Sequence, residues 1–247
     1  MDKKYALFLA LCAALLAFGA FFLLHSTASE KNLENVTIER IIDGDTLKLA
    51  DGRTVRLLNI NAPEKNMPNA MLSASFMKSF ENKTIEIEIT GADKYKRSLA
   101  RLYAPKYLNL QMVNLGFASN FLVDDSELGV FAKAEEEAVK NGLGIWNKSY
   151  YFGCFDAEID KSAEIVKIRN NCQEINVNGW YVKDESRKVY RLSNIALGEV
   201  ALHSGRGEDN STDIFWNLDT DVWNNDRDTL YFFTQEGGIV HHESYGY

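Results

Sequence analysis

Between Ile41 and Lys65 the chain reads IIDGDTLKLADGRTVRLLNINAPEK, which brings Asp43, Asp45, Arg56, Asn61 and Glu64 into one short stretch. Opposite charges gathered at the ends of short strands are a recurrent device of ligand sites. Asp45, the side-chain oxygen of Asn61 and the carbonyl of Ala62 are hard oxygen donors suited to a divalent cation with water in the remaining positions. Calcium tolerates so irregular a set better than magnesium does. Arg56, and Arg97 in the later stretch DKYKRSLA, carry planar guanidinium forks that grip phosphate oxygens two at a time. Glu64 follows the cation donors directly, where it can orient or deprotonate a water. Singly, each residue has a plain structural reading: Asp-Gly-Asp as a turn, Arg56 as a strand-surface charge, Pro63-Glu64 as a loop. In this order they supply what phosphodiester hydrolysis requires: an offset for the charge on the non-bridging oxygens, a positioned water, and a base beside it.

Short elements must position these groups. Residues 36–42 and 46–49 read as strands, Asp51-Gly52 is a two-residue hairpin signal, and Thr54 to Ile60 continues as a third strand. A helix follows, with Asn69 as its N-cap and Leu72, Phe76 and Phe80 along one face. TIEIEIT, from Thr84 to Thr90, alternates with Ile85, Ile87 and Ile89 inward, and SLARLYA gives a fifth strand. Two more helices are expected, from Leu110 to Leu115 ahead of Gly116 and from Val130 to Lys140 ahead of Asn141-Gly142. Five strands and three helices in this order suit a small closed barrel of the OB type, a frame that commonly binds oligonucleotides. Past Trp146 only short strands remain, in AEIVKIRN, INVNGWYVKD, KVYRLS, GEVALHSG and TLYFFTQEGGIVHHESY, with turn-rich Arg206 to Asp213 between them. That series argues for an immunoglobulin-like β-sandwich. Trp180 reads as core, while His241 and His242 read as strand residues rather than metal ligands.

Net charge divides unevenly along the chain. Residues 36–148 hold 15 Lys+Arg and 15 Asp+Glu, whereas residues 149–247 hold 9 and 17, so the acidity of the whole lies in the C-terminal part. A phosphate backbone is repelled by such a surface, which points away from the sandwich as the nucleic-acid grip. At the N-terminus, Tyr5 to Leu24 is an uncharged apolar run of about twenty residues, the length needed to cross a bilayer. Lys3 and Lys4 precede it, on the side expected to stay cytoplasmic. A secretory signal cut before Ser29 is the alternative. In either case the remainder is exported, and residues 1–30, 36–148 and 155–247 make three segments: anchor or signal, barrel, and sandwich. Cys154 and Cys172 then fall in an oxidising compartment, which invites a disulfide, two free thiols being the alternative.

The order Asp43-Gly44-Asp45-Thr46, Arg56-Leu57-Leu58, Asn61-Ala62-Pro63-Glu64, Asp93-Lys94-Tyr95-Lys96-Arg97, with LNLQMVNLGFA and GLGIW beyond, resembles the thermonuclease, or staphylococcal nuclease-like, family over residues 36–148. The resemblance implies a calcium-dependent nuclease acting on DNA and RNA, with single strands favoured, that leaves 3′-phosphate ends. It implies Arg56, Arg97 and Glu64 as catalytic residues and Asp45, Asn61 and the Ala62 carbonyl as calcium ligands. Lys94 and Tyr95 match residues that flank the nucleotide's terminal phosphate. Three positions depart from the family pattern: Asn61 replaces an aspartate, Lys96 replaces a glycine, and Leu122 and Asp124 stand where some members carry base-stacking tyrosines. The C-terminal part resembles a lamin-tail domain in its Gly179-Trp180 and strand-Gly-Gly-strand cadence, with its partner unknown. The rival readings are a catalytically silent nucleic-acid-binding protein and a surface-structural protein on the same fold.

Overall fold

Alternation and turn chemistry build the first half of the molecule. The structure is a computed structural model that describes residues 32–173, 175–193 and 198–247. The apolar run at residues 5–24, read above as anchor or signal, lies outside the described residues. Among the described residues, no helix is long and apolar enough to cross a membrane.

Strands β1 (Leu33–Ile41), β2 (Thr46–Leu49) and β3 (Thr54–Leu57) form an antiparallel meander. The third strand was expected to run to Ile60, but it stops at Leu57. Asn59 adopts a left-handed φ of 69°, which turns the chain before a two-residue strand β4 (Ile60–Asn61). Helix α1 (Ala70–Lys78) comes next, then β5 (Thr84–Ala92) and β6 (Ser98–Tyr103), and β1-β2-β3-β6-β5 close into a barrel. Helix α2 (Leu108–Asn114), strand β7 (Ser119–Asn120), which pairs with β4, and helix α3 (Leu128–Lys140) complete this half. Val36, Ile38, Leu47, Val55, Ile85, Ile87 and Leu102 fill the barrel interior, as their alternation along the strands requires.

Two further local expectations are corrected. Asn69 stands directly before α1 but makes no side-chain cap bond; instead its amide donates to the Gly237 carbonyl at 3.1 Å, far along the chain. Ile89 is 36% exposed because the β5–β6 register slips between Ile89 and Gly91, so the bulge ends the inward alternation there.

The second half is a pair of four-stranded sheets. One holds β11 (Val189–Arg191), β10 (Tyr181–Lys183), β14 (Asp228–Phe233) and β15 (Ile239–Tyr245), in that order. The other holds β13 (Asp213–Phe215), β12 (Glu199–His203), β9 (Ile165–Asn170) and β8 (Phe155–Asp160). Phe155, Val166, Ile168, Trp180, Val182, Leu202 and Phe232 meet between them. The short edge strand β13 lies at the end of the stretch read as a turn; it pairs parallel to β12 and has only three residues, too few to show alternation. Cys154 and Cys172 are joined by a disulfide, with Cα atoms 5.2 Å apart.

Barrel and sandwich do not stand apart: Glu34–Tyr247 is one compact unit. Trp146 and Ile145, just past α3, pack with Tyr181, Tyr231, Phe233 and Ile239 of the first sheet. Burying each such side chain contributes roughly 1.5–3 kcal/mol. The same seam buries ionisable groups. Glu135 is 5% exposed and accepts the Asn120 N–H at 2.8 Å. Desolvation pushes its carboxyl up to about 7, partly offset by that hydrogen bond and by Lys183. An unfolded glutamate titrates near 4.3, so between these values the folded state holds the extra proton and stability falls as pH rises. Glu135→Gln keeps the acceptor and removes the charge. Its stability relative to the parent should therefore rise by on the order of 1–3 kcal/mol between about pH 5 and about pH 8, read by urea unfolding. A constant difference across that range would mean that Glu135 is not desolvated.

Candidate active site

Asp45 sits where the chain re-enters β2. The turn before it is closed by its own sequence, since the Asp45 N–H donates to Asp43 Oδ1 at 3.0 Å. Gly44 is required between the two acids because a Cβ there would lie 2.4 Å from the Ser73 Cβ and 2.5 Å from the Ala62 Cβ. The Asp45 carboxylate, 3% exposed, accepts the Thr46 hydroxyl at 3.0 Å and the Ala62 N–H at 2.8 Å, with Arg56 Nη2 at 3.3 Å. Burial raises its pKa to about 6; Arg56 opposes that shift and Asp43 adds to it.

Arg56, on β3, is held rigidly. Its Nη1 donates to the carbonyls of Leu57 at 2.7 Å and Ile60 at 2.8 Å, and its Nη2 donates to Asn61 Oδ1 at 3.2 Å. The turn at Asn59 is what brings Ile60 and Asn61 back over the guanidinium. Desolvation lowers the Arg56 pKa, Asp45 counters it, and the positive charges of Arg97 and Arg187 lower it further.

Arg97 approaches from the start of β6. Asp93 Oδ2 takes Arg97 Nε at 2.7 Å and Nη2 at 2.7 Å, while Nη1 lies 3.4 Å from the Thr46 hydroxyl. The turn between them carries Lys94 and Tyr95; the Tyr95 ring is 65% exposed, with Lys94 Nζ at 5.2 Å and Arg97 Cζ at 5.5 Å from its centre. Lys96 has a left-handed φ of 64°, the conformation that glycine adopts most readily. Leu122 is 59% exposed with φ 46°, and Asp124 is engaged by Ser126 and lies 3.5 Å from Arg101, so neither offers a ring to a base.

Glu64 does not stand free. Its Oε1 lies 2.5 Å from Nε of Arg187, on the connection between β10 and β11 of the sandwich, both side chains being about half exposed. The same connection is tied to Asn61, whose Nδ2 donates to the carbonyls of Glu185 at 3.0 Å and Ser186 at 3.1 Å. A cavity of about 60 Å³ lies between the two halves, lined by Asn61, Ala62, Glu64, Lys183 and Arg187 among others. Sequence reasoning missed this loop, because KDESRK reads only as a charged hairpin tip.

Whether a divalent cation suits the donors follows from the Asn61 amide. With its nitrogen committed to two carbonyls, its oxygen is turned to the Arg56 side, toward the carboxylate of Asp45. Asp45 and Asn61 Oδ1 both face the Arg56 guanidinium, and with the carbonyl of Ala62, whose N–H Asp45 accepts, they are hard oxygen donors carrying one formal negative charge, chemistry that fits a weakly held hard cation. No cluster of three or more His, Cys, Asp or Glu side chains is found among the described residues.

A closed barrel whose rim carries two guanidinium forks, an accessible carboxylate and hard oxygen donors is the frame of a phosphodiester hydrolase. Comparison with known proteins agrees: the model of the staphylococcal nuclease homologue family matches residues 54–148. An uncharacterized endonuclease of Escherichia coli is 33% identical over 116 residues, which cover 44% of this chain and 75% of that protein. Endonuclease YncB of Bacillus subtilis is 31% identical over 141 residues, covering 50% of this chain and 66% of YncB. The prophage-derived endonuclease YokF of the same organism is 31% identical over 139 residues, or 49% of this chain and 47% of YokF. The chain belongs to the staphylococcal nuclease homologue family and is a nuclease, a phosphodiesterase whose substrate is nucleic acid.

Proposed function

We propose that the protein is an exported, membrane-held nuclease that depends on calcium and cuts DNA and RNA to leave 3′-phosphate ends. The observation that carries this reading is the convergence of Arg56 and Arg97, on different strands, near the one buried carboxylate of the rim, Asp45. Arg56 and Arg97 bind the scissile phosphate and take up the charge that develops on it. Glu64 accepts the proton of the attacking water. Asp45, Asn61 and the Ala62 carbonyl would hold calcium, which would supply further charge neutralisation at the phosphate. Retention of Arg56, Arg97 and Glu64 together argues against the silent-binding reading. Digestion of single-stranded DNA and of RNA with calcium and with chelator tests the proposal: cleavage lost on chelation, with 3′-phosphate termini, supports it, and chelator-resistant cleavage or 5′-phosphate termini refute the metal or bond assignment.

Export and anchoring rest on the apolar run from Tyr5 to Leu24 behind Lys3 and Lys4, and the Cys154–Cys172 disulfide suits an oxidising compartment. The protein should stay with membranes through high-salt washing and leave with detergent, since salt releases an attachment made by surface charge. Soluble protein starting at Ser29 would identify a cleaved signal instead.

A further inference from the structure

We infer that Arg187, carried to the barrel by the C-terminal sandwich, is a third phosphate-binding arginine of the active site; this rests on the nuclease reading above. The loop that bears it is fixed at its base. Asn61 donates to the Glu185 and Ser186 carbonyls, and Asp184 accepts the Ser186 hydroxyl at 2.6 Å and its N–H at 3.0 Å. Of the other cations along this hairpin, Lys188 turns away to the Asp221 carbonyl at 2.5 Å, Lys183 lies over the Tyr231 ring at 4.5 Å and Arg191 lies over the Tyr181 ring at 5.4 Å. Among the hairpin's cations it is Arg187 that pairs with Glu64, its Nε 2.5 Å from Oε1, and neither of its Nη groups has a hydrogen-bond partner among the described residues.

Its free edge is therefore available to two oxygens of a phosphate while Nε still orients Glu64. Arg56, Arg97 and Arg187 also concentrate like charge around one spot, an arrangement that an anion between them would relieve. The alternative, in which Arg187 locks Glu64 and restrains the enzyme, is disfavoured by exposure. An ion pair with 49% and 42% exposed side chains contributes only about 0–1 kcal/mol, too little to hold a site shut against substrate. The residue matters for a second reason: it comes from the acidic half, where net charge argued against contact with nucleic acid. Local placement of one arginine outweighs the average charge of the sandwich surface, because backbone charge further than about 8–10 Å away is screened.

The test uses the full chain, with Arg187→Ala and Arg187→Lys, on one short single-stranded DNA under conditions in which the parent cuts. Arg187→Ala should raise KM about tenfold or more while kcat falls less, with Arg187→Lys between it and the parent, as loss of a charge-assisted contact predicts. Thermal unfolding should be unchanged, since the side chain is half exposed. Anisotropy binding of the same oligonucleotide should show a salt slope shallower by about 0.7 in the alanine variant, one phosphate contact on a single strand. Arg187→Ala turning over faster than the parent at saturating substrate would establish the lock and overturn the inference, and so would unchanged KM and salt slope. If the parent itself fails to cut, the nuclease reading falls, and the binding measurement still decides the role of Arg187: an equal slope in parent and variant removes it.

Discussion

Arg56→Lys and Arg97→Lys should each lower kcat/KM by on the order of 10²–10³, the cost of losing one aimed donor at a centre where charge develops. Lysine keeps the charge but not the planar set of donors: at Arg97 two-point contact with phosphate is lost, and at Arg56, whose Nη groups are held by Leu57, Ile60, Asn61 and Asp45, the bonds that fix its charge beside the site are lost. The two variants separate in stability. Arg56 is 6% exposed and satisfies the Leu57 and Ile60 carbonyls, so lysine leaves buried acceptors unpaired and should also destabilise the fold, by about 1–3 kcal/mol for each group left without a partner. Arg97 pairs with Asp93, the side chains 19% and 16% exposed, and lysine can keep that ion pair, so its variant should lose less stability than Arg56→Lys. Glu64→Gln, which removes the proton acceptor and leaves a neutral partner for Arg187, should lower kcat by about 10²–10⁴. Steady-state rates on single-stranded DNA, with thermal melts alongside, check all three. Parent-like rates in all of them would mean that the chemistry occurs elsewhere.

Much of the barrel was legible because its signals are local. The alternation of Ile85 and Ile87 and the Asp51-Gly52 turn each involve neighbours in sequence, and much of the barrel half of the site is likewise local: Asp45, Arg56, Asn61 and Glu64 all fall in the single stretch from the turn before β2 to the loop after β4. What the sequence hid was set by distant contacts. Asn69 reads as a helix cap by its type and place, yet its amide is drawn to Gly237 across the seam. The break at Asn59 was masked by apolar neighbours on both sides; a left-handed asparagine is unremarkable in composition and decisive in the path it gives Arg56. Arg187 was hidden most completely, since its partner lies on another sheet system and its own surroundings are acidic. The substitution of Asn61 for aspartate was legible as a departure, but its reason was not: an amide donates to the Glu185 and Ser186 carbonyls, which a carboxylate cannot do.

Asn61→Asp should consequently produce two effects of opposite sense. An added negative charge among the Asp45 and Ala62 oxygens raises cation affinity, because calcium binding strengthens with ligand charge. The calcium concentration for half-maximal cleavage should fall from the weak range expected of the parent, on the order of 10⁻⁴–10⁻³ M. The same change removes both N–H bonds to the sandwich loop and sets a carboxylate against two carbonyl oxygens. Leaving those acceptors without their donor costs about 1–3 kcal/mol apiece unless water replaces it. A net loss of about 2 kcal/mol corresponds to a melting temperature lower by roughly 4–8 °C in a chain of this size. The hairpin tip that carries Arg187 should loosen with it, so that KM at saturating calcium rises while the maximal rate stays within a few fold. A calcium titration of both proteins on one single-stranded DNA, followed by a substrate titration at saturating calcium and a melt, measures every part. Equal calcium midpoints would remove Asn61 from the cation site. An unchanged KM and melting temperature would show that its two bonds to the sandwich do not hold Arg187 in place, and activity of the parent with a different cation alone would reassign the metal.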